Sequence, residues 1–251
     1  MKKILLIFLL LVISPSIAQA QFSSTPVQSD CTNGSLFVVT TYTYTFPSPI
    51  TAGNIVVIGF NSGQNRTIVS ILGTAGAGTT TTYTVGTGGT SSGATGIAYL
   101  AHGVAGAADT DVTIILSGSN ADAFTFCFAE FSGNLADQSS ATFNGAATTT
   151  GTVFDSGSVT PPTTNNLIIV YFAHTTGVYT YDADFTAIDS AGWGNPGSMH
   201  YKVQTTATAQ ESNVVTDGSN ESGVQRIGAY AGTGAALSGV KRTLLLGVGN
   251  Q

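Results

Sequence analysis

The sequence has few charged residues and only one tryptophan, two cysteines and two methionines. Among its 251 residues, 7 are Lys or Arg and 13 are Asp or Glu, which is 8%. The formal net charge of -6 excludes the clustered basic surface that neutralises a nucleic-acid backbone, so we expect no nucleic-acid partner. After the N-terminal segment no apolar run is long enough to cross a bilayer, so no membrane span is expected in the mature chain.

Strong helix formers are scarce, whereas turn-forming and β-branched residues are abundant. The chain contains 31 glycines, 7 prolines and 38 threonines, and this mixture excludes a mainly helical protein. Most apolar stretches are short, β-branched or aromatic, and bounded by Gly, Asn, Asp or Ser, as is typical of strands and turns. The sequence therefore predicts an all-β fold: a duplicated antiparallel β-sandwich, jelly-roll-like, with essentially no helix after the signal peptide.

The first 20 residues have the pattern of a secretory signal peptide. Lys2 and Lys3 precede the apolar run Ile4–Ile13, and the small residues of Ala18–Ala20 form a cleavage site, so the mature chain begins at Gln21. Cleavage removes two lysines and no acidic residue, which leaves 5 basic and 13 acidic residues and a net charge of -8. We therefore predict a secreted or cell-surface protein.

Cys31 and Cys127 are the only cysteines. In an oxidising compartment such a pair tends to close, so we predict a Cys31–Cys127 disulfide. The alternative is two separately buried thiols, because Cys127 lies within the apolar run Phe124–Phe128.

An internal duplication is the most informative pattern. Pro49–Phe60 aligns without gaps with Pro161–Phe172, with proline, threonine, asparagine and phenylalanine in register. Two weaker matches pair Gly96–Ala101 with Ser198–Val203, and Cys127–Gly133 with Arg226–Gly232. The continuous apolar runs within the first pair of segments are typical of strands that are covered on both faces.

The predicted domain organisation follows from this repeat. After the signal peptide, residues 21–251 form a sandwich of two related halves, about 35–133 and 152–232, with a C-terminal strand at 239–248. One sandwich of two sheets is expected, with two serial sandwiches as the alternative. The segment Asn134–Gly157 is expected to bridge the halves, and its three consecutive threonines could pair in an edge strand.

Several segments carry a family resemblance: Ile50–Phe60, Ile97–Ile114, Ala129–Gly133 and Gly157–Pro162. They resemble a poorly characterised family of secreted bacterial β-sandwich proteins, related to modules of cell-surface, adhesin-like and phage tail proteins. The chain departs from that pattern at Gln225–Gly228 and in its basic, Leu-rich tail. The resemblance implies a fold and a location and no activity.

The residues that could carry catalysis are few. There are three histidines and three glutamates, and no metalloprotease motif. Glu130 is the one candidate for a carbohydrate-active enzyme, because it interrupts an otherwise apolar strand, yet strand alternation could place it on the solvated face. We therefore predict no enzymatic activity.

Binding residues cluster in the second half. Tyr179, Tyr181, Trp193 and Asn195 could offer the rings and polar groups of a glycan site, or the rings could be core packing. Nearby carboxylates could converge on calcium, the one candidate cofactor, or be solvated loop acids: Asp182, Asp184 and Asp189.

The function expected from these patterns is that of a non-enzymatic structural or adhesion protein, with surface glycans or further copies of itself as partners. Lysine guards exposed strand edges against pairing, and only two lysines remain after export. The predicted C-terminal strand either closes its own sheet, the more common arrangement, or is added to a neighbouring subunit. The alternative function is a lectin-like, carbohydrate-binding module assisted by calcium.

Overall fold

The structure is a computed structural model that describes residues 22–36, 40–63, 66–76, 78–86, 90–92, 96–106, 108–118, 122–133, 141–175, 177–191, 196–218 and 220–232. The described residues contain strands and turns and no helix, so the predicted all-β fold is confirmed. The predicted signal peptide and the predicted strand at 239–248 lie outside the described residues.

The described strands form two consecutive groups. The first group is β1 (Gln28–Leu36), β2 (Thr41–Thr45), β3 (Ile55–Ser62), β4 (Ile68–Ala75), β5 (Gly78–Thr82), β6 (Thr84–Val85), β7 (Thr90–Ser92), β8 (Gly96–Val104), β9 (Asp111–Leu116) and β10 (Asp122–Phe131). The second group is β11 (Ala141–Gly151), β12 (Val153–Asp155), β13 (Asn166–His174), β14 (Tyr179–Thr180), β15 (Thr186–Ala191), β16 (Gly197–Gln204), β17 (Asn213–Thr216) and β18 (Glu221–Ala231).

Each group folds into two antiparallel sheets, which we call inner and outer. The first inner sheet has the order β1-β10-β3-β8-β6, with β7 also paired to β8, and the first outer sheet has the order β2-β9-β4-β5. The second inner sheet is β11-β18-β13-β16-β15, and the second outer sheet is β12-β17-β14. The main strands of the first half alternate between its two sheets in jelly-roll order, and the second half repeats that order, with no counterpart of β5 among its described residues.

The two inner sheets pack face to face, so the molecule has four layers instead of the two expected for a single sandwich. Side chains from both inner sheets form one shared hydrophobic core. A second core lies between the first inner and outer sheets, and smaller clusters lie between the second pair. The runs Ile55–Ile58 and Leu167–Val170 are fully buried because each belongs to the middle strand of an inner sheet.

The halves are related by an approximate two-fold rotation. β8 contacts β18 and β10 contacts β16, while β3 contacts β13. β8 corresponds to β16, and β10 corresponds to β18. The two-fold rotation therefore exchanges the β8–β18 contact with the β16–β10 contact, as in an isologous dimer. Gly59 and Tyr171 are equivalent residues of the repeat, and the Tyr171 ring lies against the Cα of Gly59, where a Cβ would collide with it.

Strand pairing changes the alignment of the second repeat segment. Tyr99 lies opposite Phe60, whereas Tyr201 lies opposite Ile169, which corresponds to Val57. Ser198 lies opposite Phe172, which corresponds to Phe60, so Ser198 is the counterpart of Tyr99. The predicted match of Tyr99 with Tyr201 is therefore wrong by three residues.

The predicted disulfide is present, and it links directly opposite residues of β1 and β10. The Cα atoms of Cys31 and Cys127 are 4.1 Å apart, and 96 residues of sequence separate them. β1 was not among the expected strands because its sequence, QSDCTNGSL, has no hydrophobic alternation. The disulfide therefore ties a polar edge strand to the core strand β10.

The expected bridge also proves to contain a strand. β11 occupies Ala141–Gly151 and pairs with β18 at the edge of the second inner sheet, with Thr148 opposite Gly223. The second half of the fold thus begins at Ala141 and not at about residue 152, because an edge strand needs no run of large apolar residues.

Candidate functional site

A cluster of six rings lies between the second inner and outer sheets, and we call it the aromatic cluster. Alternation along β13 places every second side chain towards the outer sheet. The other rings come from β16, which pairs with β13, and from β12, β14 and the residue after β14 in the facing outer sheet. The members are Phe154, Phe172, His174, Tyr179, Tyr181 and His200.

Both predicted glycan-binding tyrosines pack against histidines in this cluster. The Tyr181 ring stacks on His200 with the centroids 4.3 Å apart and an interplanar angle of 29°. Tyr179 lies 4.3 Å from His174, and its hydroxyl donates a hydrogen bond to the Thr175 carbonyl oxygen at 2.9 Å. The two tyrosines therefore belong to one packed group, and both remain half-buried.

Burial keeps both histidines neutral near pH 7. It lowers the pKa of His200 to about 4 and also lowers the pKa of His174, against which the Thr175 carbonyl and Glu221 act more weakly. Burial likewise raises the pKa of Tyr181 and of Tyr179. No sequence pattern assigned a role to the histidines, although the two-residue period of β13 places His174 on the same face as Phe172.

The half-buried tyrosines lie at the end of the second outer sheet, which has one strand fewer than the first among the described residues. In the first half, β5 extends the outer sheet, and Tyr83, which follows it, is buried. In the second half, no strand within the described residues pairs with the free side of β14. The edge of β14 is thus open beside Tyr179 and Tyr181.

The predicted calcium ligands do not come together. Asp182 accepts a hydrogen bond from the backbone nitrogen of Asp184 at 2.9 Å, and Asp184 forms an ion pair with Lys202 at 3.2 Å. Asp189 instead accepts a hydrogen bond from the backbone nitrogen of Cys31 at 3.1 Å, across the edge of the inner sheets. Among the described residues, no three His, Cys, Asp or Glu side chains form a group that could hold a metal ion, so the geometry gives the calcium prediction no support.

The other two predicted glycan-binding residues, Trp193 and Asn195, lie outside the described residues. Their part in a glycan site stays a prediction.

Glu130 is fully buried, not on the solvated face that strand alternation allowed. Its carboxylate accepts hydrogen bonds from the Gln28 side chain at 2.7 Å, the Thr51 backbone nitrogen at 2.9 Å and the Asn54 side chain at 2.5 Å. Alternation places Glu130 on the same face of β10 as Phe126 and Phe128, which the first outer sheet covers, so its carboxylate is buried and links β10 to β1 and to the loop before β3. A substrate has no direct access to this carboxylate.

Comparison with known proteins finds no matching family, no similar curated protein and no similar solved structure. The described part of the chain has no helix with the length and apolarity that a membrane crossing requires.

Proposed function

We propose that this chain is an exported, non-enzymatic structural or adhesion protein that assembles with copies of itself through its second outer sheet. The signal-peptide pattern of the first 20 residues and the Cys31–Cys127 disulfide support export, because disulfides persist mainly outside the cytosol. Four rigid layers joined through one shared core suit a load-bearing or display role.

The open edge of β14 is the observation that carries the self-assembly proposal. An unpaired strand edge presents backbone N–H and C=O groups that readily pair with another chain. Five large hydrophobic side chains are exposed among the described residues, and three of them lie in or beside the second outer sheet: Val153, Val178 and Val215. Val153 and Val215 are directly opposite each other in β12 and β17, and Thr180 of β14 lies opposite Val215, so the two valines form one patch that β14 separates from the open edge.

Charge supports a second copy as the occupant. The predicted strand at 239–248 has the sequence GVKRTLLLGV, which combines apolar residues with Lys241 and Arg242. The described second half carries seven acidic residues against Lys202 and Arg226, and Arg226 is buried. A basic, apolar segment therefore complements the acidic second half, and strand addition is a common way of joining chains.

Light scattering of the mature chain, residues 21–251, over a range of concentrations tests this proposal. We expect oligomers, and we expect Val215→Lys to shift the chain to monomer because it places a desolvated charge in the interface. Val69→Lys is the matched control, because Val69 is an exposed valine of the first outer sheet and its substitution leaves assembly unchanged.

Removal of residues 239–251 is expected to abolish the oligomers while the disulfide and the cooperative unfolding transition are retained. A mature chain that is monomeric at every concentration contradicts the proposal. Equal loss of assembly in Val69→Lys and Val215→Lys also contradicts it, because the interface is then elsewhere.

A glycan-binding module is the second candidate, and the two half-buried tyrosine rings side by side favour it. We expect the mature chain to be retained on an insoluble polysaccharide, and Tyr181→Ala to release it if the aromatic cluster binds sugar faces. Unchanged retention in Tyr181→Ala removes this cluster from any glycan site.

A further inference from the structure

The outward face of the first outer sheet is covered with threonine, and we call it the threonine face. Tyr42 and Tyr44 of β2 point into the core, so the alternate residues point away from the molecule. The same alternation holds along β9, where Val112 and Ile114 are buried. The described side chains of this face are Thr41, Thr43, Thr45, Ser70, Leu72, Thr74, Thr79, Thr82, Asp111, Thr113 and Ile115, with the exposed Val69 at a register shift of β4 beside Ser70.

Strand pairing arranges these side chains in rows. The middle row runs across four strands as Thr43, Thr113, Leu72 and Thr82, and the next row as Thr45, Asp111, Thr74 and Thr79. On β2, β9 and β4, neighbours within a row are about 4.8 Å apart and successive rows are about 6.7 Å apart, as strand spacing and rise dictate. On β5 a register shift separates the two rows by three residues instead of two, so the regular array ends at β4. The face is therefore a two-dimensional array of methyl and hydroxyl groups.

The array is almost free of charge. Asp111 is its one ionisable side chain among the described residues, and its two carboxylate oxygens accept hydrogen bonds from the hydroxyls of Thr45 at 2.5 Å and Thr110 at 2.8 Å. The hydroxyl oxygens of Thr43 and Thr113 lie 3.1 Å apart and share a hydrogen bond. These contacts fix the rotamers of threonines in neighbouring strands.

The second half shows that composition alone does not produce such a face. The corresponding outward positions of the second outer sheet hold Val153, Asp155, Asn213 and Val215 instead of rows of threonine. The threonine array is therefore particular to the first half.

The chemistry of the face limits what can bind it. It has no basic group for phosphate and no aromatic ring for a sugar face. Each threonine offers a methyl group, beside which water is orientationally restricted, and a hydroxyl that can both donate and accept a hydrogen bond. Many threonines can bind at once to a solid surface that repeats hydrogen-bonding groups at a similar spacing.

We propose that the threonine face binds the surface of ice. Water held between the threonine rows would match the repeating oxygen positions of the crystal, and it would join the lattice without a conformational change in the protein. The disulfide and the shared core hold the sheet in place, so little ordering cost accompanies binding. This activity is separate from self-assembly and does not depend on it.

Ice recrystallisation and partition into a growing ice front, measured on the mature chain, test the proposal. We expect the chain to slow recrystallisation and to concentrate in the ice. Thr43→Lys and Thr113→Lys, in the middle row, should each raise the protein concentration required to slow ice recrystallisation by at least about tenfold. The reason is that a bulky hydrated charge keeps the neighbouring threonines from contacting the crystal. Thr186→Lys, an exposed threonine of β15, is the matched control and should change it by less than about twofold.

Thermal unfolding of each variant verifies that the fold is retained. The proposal is overturned if the mature chain leaves ice growth unchanged, or if Thr186→Lys is as damaging as the two substitutions in the middle row. It is also overturned if Thr43→Lys leaves ice growth unchanged and instead releases the chain from an insoluble polysaccharide, which would assign the face to glycans.

Discussion

The two halves of the molecule share a strand order but differ in how firmly each is closed. The first half has a disulfide, a buried carboxylate with three hydrogen-bond donors and a four-stranded outer sheet over a large core. In the second half, register places Gly145 and Arg226 where the first has its two cysteines, and the outer sheet has three strands. One topology therefore supports a four-stranded outer sheet in the first half and, within the described residues, a three-stranded outer sheet that ends at β14 in the second.

The polar ties at the start of the middle strands also differ. Asn54, before β3, donates its side-chain amide to Glu130. The equivalent Asn166, at the start of β13, donates to the backbone oxygens of Thr163 and Thr206 instead. The asparagine is common to both repeats, yet its partner is a distant carboxylate in one and local backbone in the other.

The largest expected effect lies on the two-fold axis, where the halves meet. Tyr171→Ala leaves a cavity that neither half can fill, because its equivalent is Gly59, and should lower the free energy of unfolding by about 3–5 kcal/mol in urea denaturation. Tyr171→Phe keeps the ring and removes only the hydroxyl that donates to Asn61, so its loss should be about 1 kcal/mol. Equal losses in the two variants would show that the ring does not join the halves.

Loss of the disulfide should destabilise the first half more than the second. We expect Cys31→Ala with Cys127→Ala to lower the free energy of unfolding by about 2–5 kcal/mol, because the unfolded chain is no longer cross-linked. Hydrogen exchange should accelerate at β1 and β10 more than at their equivalents β11 and β18. Uniform acceleration across both inner sheets would contradict a local role of the disulfide.

Acid should destabilise the second half through its histidines. The pKa of His200 is lowered from 6.5 to about 4, so the unfolded chain takes up a proton first, and stability present above pH 6.5 is lost as pH falls towards 4. This loss approaches about 3 kcal/mol for His200, and His174 adds to it. His200→Phe keeps a ring on Tyr181 and should flatten the pH profile measured by urea unfolding; an unchanged profile would show that His200 is not the group involved.

The smallest expected effect compares equivalent core positions of the two outer sheets. Val112 lies opposite Tyr44, and Val214 lies opposite Phe154. We expect Val112→Ala to cost about 1 kcal/mol more than Val214→Ala, because the open edge lets the thinner core relax around the smaller side chain. Thermal unfolding of the two variants measures the difference, and a larger loss at Val214 would mean that the second outer sheet is as tightly closed as the first.

Sequence patterns predicted the fold best where the strands are apolar. The runs within β3 and β13 predicted strands buried on both faces, and the structure places them in the middle of the inner sheets. β1 was missed, and β11 was predicted only at its three consecutive threonines, because edge strands here are polar or rich in small residues and their pairing depends on a neighbour far along the chain.

The candidate site was predicted in part. The sequence singled out Tyr179 and Tyr181, but their histidine partners arrive from β13 and β16, which only tertiary packing brings beside them. The spacing of Asp182 and Asp184 indicated shared ligation, whereas each carboxylate has its own partner in the fold. Register also explains why the threonine face went unnoticed, since its rows join four strands separated in sequence.

By itself the sequence determined that this chain forms strands and which of them are covered on both faces, and it offered only one possible pair of cysteines, whose bond the structure shows. Only the tertiary structure decided that the inner sheets pack on each other, that Glu130 is buried, and that no described strand pairs with the outer side of β14. The reason is physical: a two-residue period fixes which side chains share a face of a strand. What covers that face, and what pairs with its edge, depends on contacts between residues far apart in the chain.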